Sequence, residues 1–141
     1  MPYSFHFVDD GRGMVQVGEG VITTDEVLDV IRSLNGLPEA VRQLKFALVD
    51  FTSAVELLMT GEELRDVVAE NEITSGLISP GLIAIVAPKD QIYGLSRMWQ
   101  VFVGRLNWRV EIFRTKSDAV DWLRHSVPEL ELAPQLAASA N

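Results

Sequence analysis

"FALVDF", residues 46–51, is an apolar run broken only by Asp50. A run of this length between polar flanks reads as a strand covered on both faces, the kind found in parallel sheets packed between helices. "LIAIVA", residues 82–87, has the same character, and these two are the central parallel strands. Working outward, "YSFHFV" (3–8) and "MVQVGEGVI" (14–22) are β-like runs separated by "DDGRG". The Asp-Gly step suits a tight hairpin turn, so these first two strands pair antiparallel. "RVEIF" (109–113) is the last strand.

Helical periodicity fills the intervals. "TTDEVLDVIRSLNGLP" places Val27, Leu28, Ile31 and Leu34 on one face, with Thr23 and Glu26 at capping-box spacing and Gly36 and Pro38 as stop signals. A helix starting near Thr60 turns Leu64, Val67 and Val68 inward. In "DQIYGLSRMWQVFVGRL", Ile92, Leu95, Trp99, Phe102 and Leu106 form a stripe that requires a sheet to cover. "SDAVDWLRH" is the last helix, with Thr115 or Ser117 near its cap. The order β-β-α-β-α-β-α-β-α predicts an α/β fold with a mixed five-stranded sheet flanked by helices. Residues 1–127 make a single domain, residues 128–141 a partly disordered tail, and "ENEITSGLISPG" (70–81) a connecting loop.

With 141 residues, 48% of them apolar, the chain is long enough to bury a core of its own. It has no cysteine, which excludes disulfides, thiol catalysis and thiolate metal sites and fits a reducing compartment. "MPYSFHFVDDGRG" lacks the order of a signal peptide, and no apolar run approaches the ~20 residues of a membrane helix, so a soluble cytoplasmic protein is expected. A net charge of -8 argues against nucleic-acid binding. The charge is uneven: residues 1–87 carry five basic and fourteen acidic side chains, residues 88–125 seven basic and four acidic. Such polarity orients a partner or a second copy of the chain, or is simply an exposed mixture of charges.

Catalytic signatures are missing. His6 and His125 stand apart with no second ligand at metal spacing, and no nucleophile elbow, Walker loop or dinucleotide fingerprint occurs. No catalytic residue, metal site or cofactor is expected, and the protein reads as a non-enzyme. Asp50, at the end of its apolar run, lies where ligand sites gather in open α/β sheets, or else caps a turn with Thr52 or Ser53. Thr60 followed by Glu63 is a second capping box.

The element order, together with "GEGVITTDEV", "FALVDF", "LIAIVAP" and "VEIFRTKSDAVDWL", resembles the SpoIIAA-like proteins, related in fold to STAS domains and to the lipid-binding Sec14 (CRAL-TRIO) group. The resemblance spans about Phe5 to Arg124. It implies a fold that works by binding. In anti-sigma-factor antagonists of the STAS type, a phosphorylatable serine opens the helix after the central strand, in a phrase close to D-S-S-G. The corresponding phrase here is "LMTG", which puts Thr60 at the hydroxyl position and Gly61 at the glycine, with Leu58 and Met59 replacing the acidic residue and the first serine.

Two functions of different class follow. One is a regulatory or protein-interaction module that uses Thr60, Gly61 and Asp50 toward a protein partner. The other, suggested by the Sec14-like side, is a carrier of a small apolar ligand or lipid, with Tyr93, Met98, Trp99 and Phe102 lining its pocket. Met98 and Val101 also widen the apolar stripe beyond what one sheet covers, which predicts a homodimer.

Overall fold

Phe46–Leu58 forms the middle strand, β3, of a five-stranded sheet, and its side chains alternate between two buried faces. Phe46 and Leu48 pack to one side, while Ala47, Val49 and Phe51 pack to the other. The structure, a computed structural model, describes residues 2–77 and 81–127. Around β3 the chain supplies β1 (Tyr3–Val8), β2 (Gly13–Thr23), β4 (Gly81–Val86) and β5 (Trp108–Phe113), in the spatial order β1-β2-β3-β4-β5. β1 and β2 pair antiparallel, and every later pair is parallel. The sheet is therefore mixed, as the sequence predicts.

Helices α1 (Thr24–Asn35), α2 (Pro38–Arg42), α3 (Gly61–Ser75) and α4 (Asp90–Phe102) contribute to the core on one face of the sheet. Helix α5 (Lys116–Ser126) covers the opposite face, where Ala119, Val120 and Leu123 meet Phe46, Leu48, Ala84 and Val86. Between β1 and β2 the chain turns through a short 3-10 segment in which Asp9, Asp10 and Gly11 all have positive φ. Asp tolerates that region better than most residues, and Gly is at home there. Gly13 begins β2 opposite Phe46, and a Cβ on it would overlap the Phe46 ring.

Three features depart from the sequence reading. Gly36 ends α1 as expected, but Pro38 opens the extra short helix α2, since proline suits a first helical turn. Residues 70–75, expected in a loop, are the last turns of α3. Strand β3 runs past Phe51 to Leu58, so Asp50 sits inside a strand and does not end one. The tail 128–141 lies outside the described residues.

The length of β3 shapes the molecule. It pairs with β4 only over Phe46–Asp50, and β2 pairs with β1 only over Gly13–Gly18. Glu19–Thr23 and Ser53–Leu58 thus continue as a two-stranded parallel ribbon beyond the rest of the sheet. Two register shifts put extra residues on the β3 side, and Gly20 takes a φ of 64° at the second. Such bulges twist and bend a strand, and alternation gives way to a single buried side, with Ile22, Ala54 and Leu57 in the core.

Candidate functional site

Both ribbon strands run straight into helices. Thr23 caps α1 and Thr60 caps α3, each in a full capping box. The Thr60 hydroxyl accepts from Glu63 N–H at 3.1 Å, and Glu63 Oε1 accepts from Thr60 N–H at 2.9 Å. Those hydrogen bonds, from the Thr60 backbone first and its side chain second, hold the Glu63 carboxyl below its ordinary range. Thr24 Oγ1 donates to Leu58 C=O at 3.1 Å, tying the start of α1 to the end of β3. Arg32 reaches Glu70 at 3.1 Å and Asn35 Nδ2 donates to Glu70 C=O at 3.2 Å, so α1 and α3 are joined further along their length.

The two capped ends flank an open groove lined by Asp25, Glu56, Met59, Thr60 and Glu63, among others. Val55 (60% exposed), Leu58 (48%) and Val21 (47%) stand on the ribbon close to it in sequence and pairing. Gly61 opens α3 beside the groove, and Met98 Cε lies 3.9 Å from where a Cβ on Gly61 would stand. The free edge of β3 is finished by a side chain. Gln91 Oε1 accepts from Leu57 N–H at 3.0 Å, and Gln91 Nε2 donates to Leu57 C=O at 2.8 Å, which is the pairing a neighbouring strand would make.

Asp50 lies away from this groove, on the α5 face. Its Oδ1 accepts from Thr52 N–H at 2.9 Å and from the Thr52 hydroxyl, and its Oδ2 meets Lys116 Nζ at 3.2 Å. Both charged side chains are buried, and Lys116 is the first residue of α5. The Thr52 contact is the one expected of a turn-capping aspartate, made here within a bulged strand. The structure therefore does not bring Asp50 and Thr60 into one site.

A second location is internal. A cavity of about 130 Å³ separates the sheet from α1, α3 and α4. Apolar side chains dominate its wall, and among the described residues no charged one lines it. Of the four aromatic and sulfur residues proposed as lining, Trp99 is in the wall, while Tyr93, Met98 and Phe102 are not. Tyr93 lies under Arg114, whose guanidinium is 3.9 Å from its ring centre, and Phe102 lies under Arg65 at 5.0 Å. Polar groups do reach the cavity: Tyr3 donates to Gln16 Oε1, and Trp99 Nε1 donates to Asn71 Oδ1 at 2.8 Å. Burial raises the Tyr3 hydroxyl well above its usual range, so it is a neutral donor.

No protein-family model matches the chain, and no curated protein matches it. Among solved structures it is similar to an uncharacterised protein of the DUF3478 family from Shewanella loihica PV-4, described as having a SpoIIAA-like fold, with a TM-score of 0.54 and 17% identity over 86% of this chain and 91% of that one. The fold is SpoIIAA-like. Within this SpoIIAA-like architecture the sequence signals found the Thr60 cap but missed Gln91, Lys116, Asn71 and Ser96. The last two had a signal: Asn71 continues the inward stripe of Leu64, Val67 and Val68, and Ser96 lies one turn after Ile92. A polar residue at a core position is a departure that asks for a reason. Among the described residues, no helix is long and apolar enough to cross a membrane.

Proposed function

We propose that the protein is a non-catalytic regulatory module of the cytoplasm that docks another protein at the end of the β2–β3 ribbon. The observation that carries this reading is the placement of an exposed threonine, Thr60, between exposed apolar groups and an acidic groove. Val55 and Leu58 supply apolar contact, Asp25, Glu56 and Glu63 supply charge, and the favoured partner presents a small apolar patch ringed by Lys and Arg. Phosphate on Thr60 would add about two negative charges at the start of α3, in favour with the helix dipole and in conflict with the carboxylates already there. Asp50 takes no part in this docking, since its oxygens are engaged by Thr52 and Lys116.

The test compares immobilised wild-type protein with Val55→Glu and Thr60→Asp in extract from the source cells. Capture of a defined protein by wild type alone supports the reading. Retention of the same proteins by the wild type and both variants overturns it.

A second reading, a carrier of a small apolar ligand, draws support from the internal cavity. Its volume favours a compact molecule over a long acyl chain, since a cavity of ~150 Å³ holds about one benzene ring.

A further inference from the structure

Two buried polar side chains in the cavity wall have hydrogen-bonding capacity that the protein does not use. Ser96 is 5% exposed, and among the described residues its hydroxyl has no hydrogen-bond partner. Asn71 is 7% exposed, and its Oδ1 accepts from Trp99 Nε1, which can only donate. That bond fixes the orientation of the amide and leaves the Nδ2 hydrogens without a partner among the described residues. Both residues line the cavity. Ser96 and Trp99 are three apart on α4 and so share a helix face, and Trp99 holds Asn71 across from it on α3.

Neither polar atom is sealed off by protein, so a guest in the cavity can reach both, whereas apolar residues at the same positions would offer it no hydrogen bond. The presence of Asn71 and Ser96 in a largely apolar wall is the pattern of a ligand site, where a few polar groups fix orientation within a greasy surface. We propose that the cavity binds a neutral, ring-sized molecule carrying one hydroxyl or carbonyl oxygen, held by the Asn71 amide and the Ser96 hydroxyl. The proposal rests on the carrier reading and narrows it. Neutrality follows from the lining, because a charged ligand would be desolvated there with no countercharge among the described residues of the wall. Size follows from the volume of about 130 Å³, which favours a ring-sized molecule over a fatty-acyl chain.

Phenol and toluene have nearly the same shape and differ in the one hydroxyl, so they isolate its contribution. Isothermal titration of the full chain at neutral pH is expected to show saturable binding of both, phenol being tighter. Ser96→Ala is expected to weaken phenol by about 3- to 10-fold, the usual worth of one hydrogen bond, and to leave toluene unchanged or tighter. The same substitution removes an unpartnered hydroxyl, so its thermal midpoint should equal or exceed wild type, which separates lost binding from lost folding. Benzoate should not bind. Decanoate binding in place of the ring-sized probes would overturn the ligand class and leave the carrier reading standing. Failure of all four probes to bind saturably would mean that the cavity holds water only, and both would fall. Equal loss of phenol and toluene in Ser96→Ala would overturn the polar assignment alone.

Discussion

Lys116 Nζ lies 3.2 Å from Asp50 Oδ2, joining the first residue of α5 to the middle of β3 through a buried ion pair. Removing the lysine of such a pair strands the carboxylate in the interior, at a cost of about 3–5 kcal/mol. Lys116→Met is therefore expected to lower stability by that amount in urea unfolding, and Asp50→Asn to lower it measurably as well. Asp50→Leu combined with Lys116→Met should recover most of the loss, because a well-packed apolar pair replaces buried charges at little net cost. An Asp50→Asn protein as stable as wild type would mean that the ion pair contributes nothing.

Thr60 caps α3, and its substitution separates folding from docking. Thr60→Ala should cost about 0.5–2 kcal/mol, since it removes the acceptor for Glu63 N–H. Thr60→Asp should keep the stability of wild type, because aspartate caps equally well. Chemical denaturation of the three proteins decides the stability side, and equal midpoints for all three would show that the cap is not used.

The capping box at the start of α3 also predicts a response to acid. Glu63 titrates below its ordinary 4.5 in the folded protein, so the folded state binds its proton less readily than the unfolded one does. Its contribution is present above the unfolded value and is lost as pH falls through the lower, folded value. Glu63→Gln retains a side chain that can complete a capping box but cannot ionise. The gap in thermal midpoint between wild type and Glu63→Gln should therefore shrink as pH drops from neutrality to below about 4, whereas a constant gap would rule out the linkage.

On α4, Val101 is 74% exposed and Met98 42% exposed, a pair of apolar groups facing away from the sheet. Self-association through this helix would cover them. Sedimentation at roughly tens of micromolar is expected to show a dimer, the range where a standard interface is already occupied. Val101→Glu should give a monomer with an unchanged thermal midpoint. A wild-type protein that sediments as a monomer under these conditions would end the proposal.

The fold was legible in the sequence wherever a pattern was local. The continuous apolar runs at 46–51 and 82–87 marked the inner strands, and Thr23 with Glu26 and Thr60 with Glu63 marked helix starts to the residue. The extension of β3 was not legible, because bulges break the alternation from which a strand is recognised, leaving "TSAVELL" without a period of two. The buried partner of Asp50 was hidden for a different reason. Lys116 lies 66 positions away, and a lysine beside a predicted helix start reads as solvated unless the crossover that buries it is known. Aromatic spacing alone misplaced three residues of the cavity wall, since a stripe defines a helix face and says nothing of which part of that face borders a gap.

Gln91 completes the edge of β3 from the second position of α4, only five residues beyond Val86 at the end of the neighbouring strand. One residue added to or removed from "PKD" would rotate that side chain about 100° around the helix axis and shift it ~1.5 Å along it, away from Leu57. Surface turns usually accept changes of length, yet this one is ruled like a measured spacer. The count of residues in Pro88–Asp90 is thus as constrained as any residue in the core, although all three side chains face water.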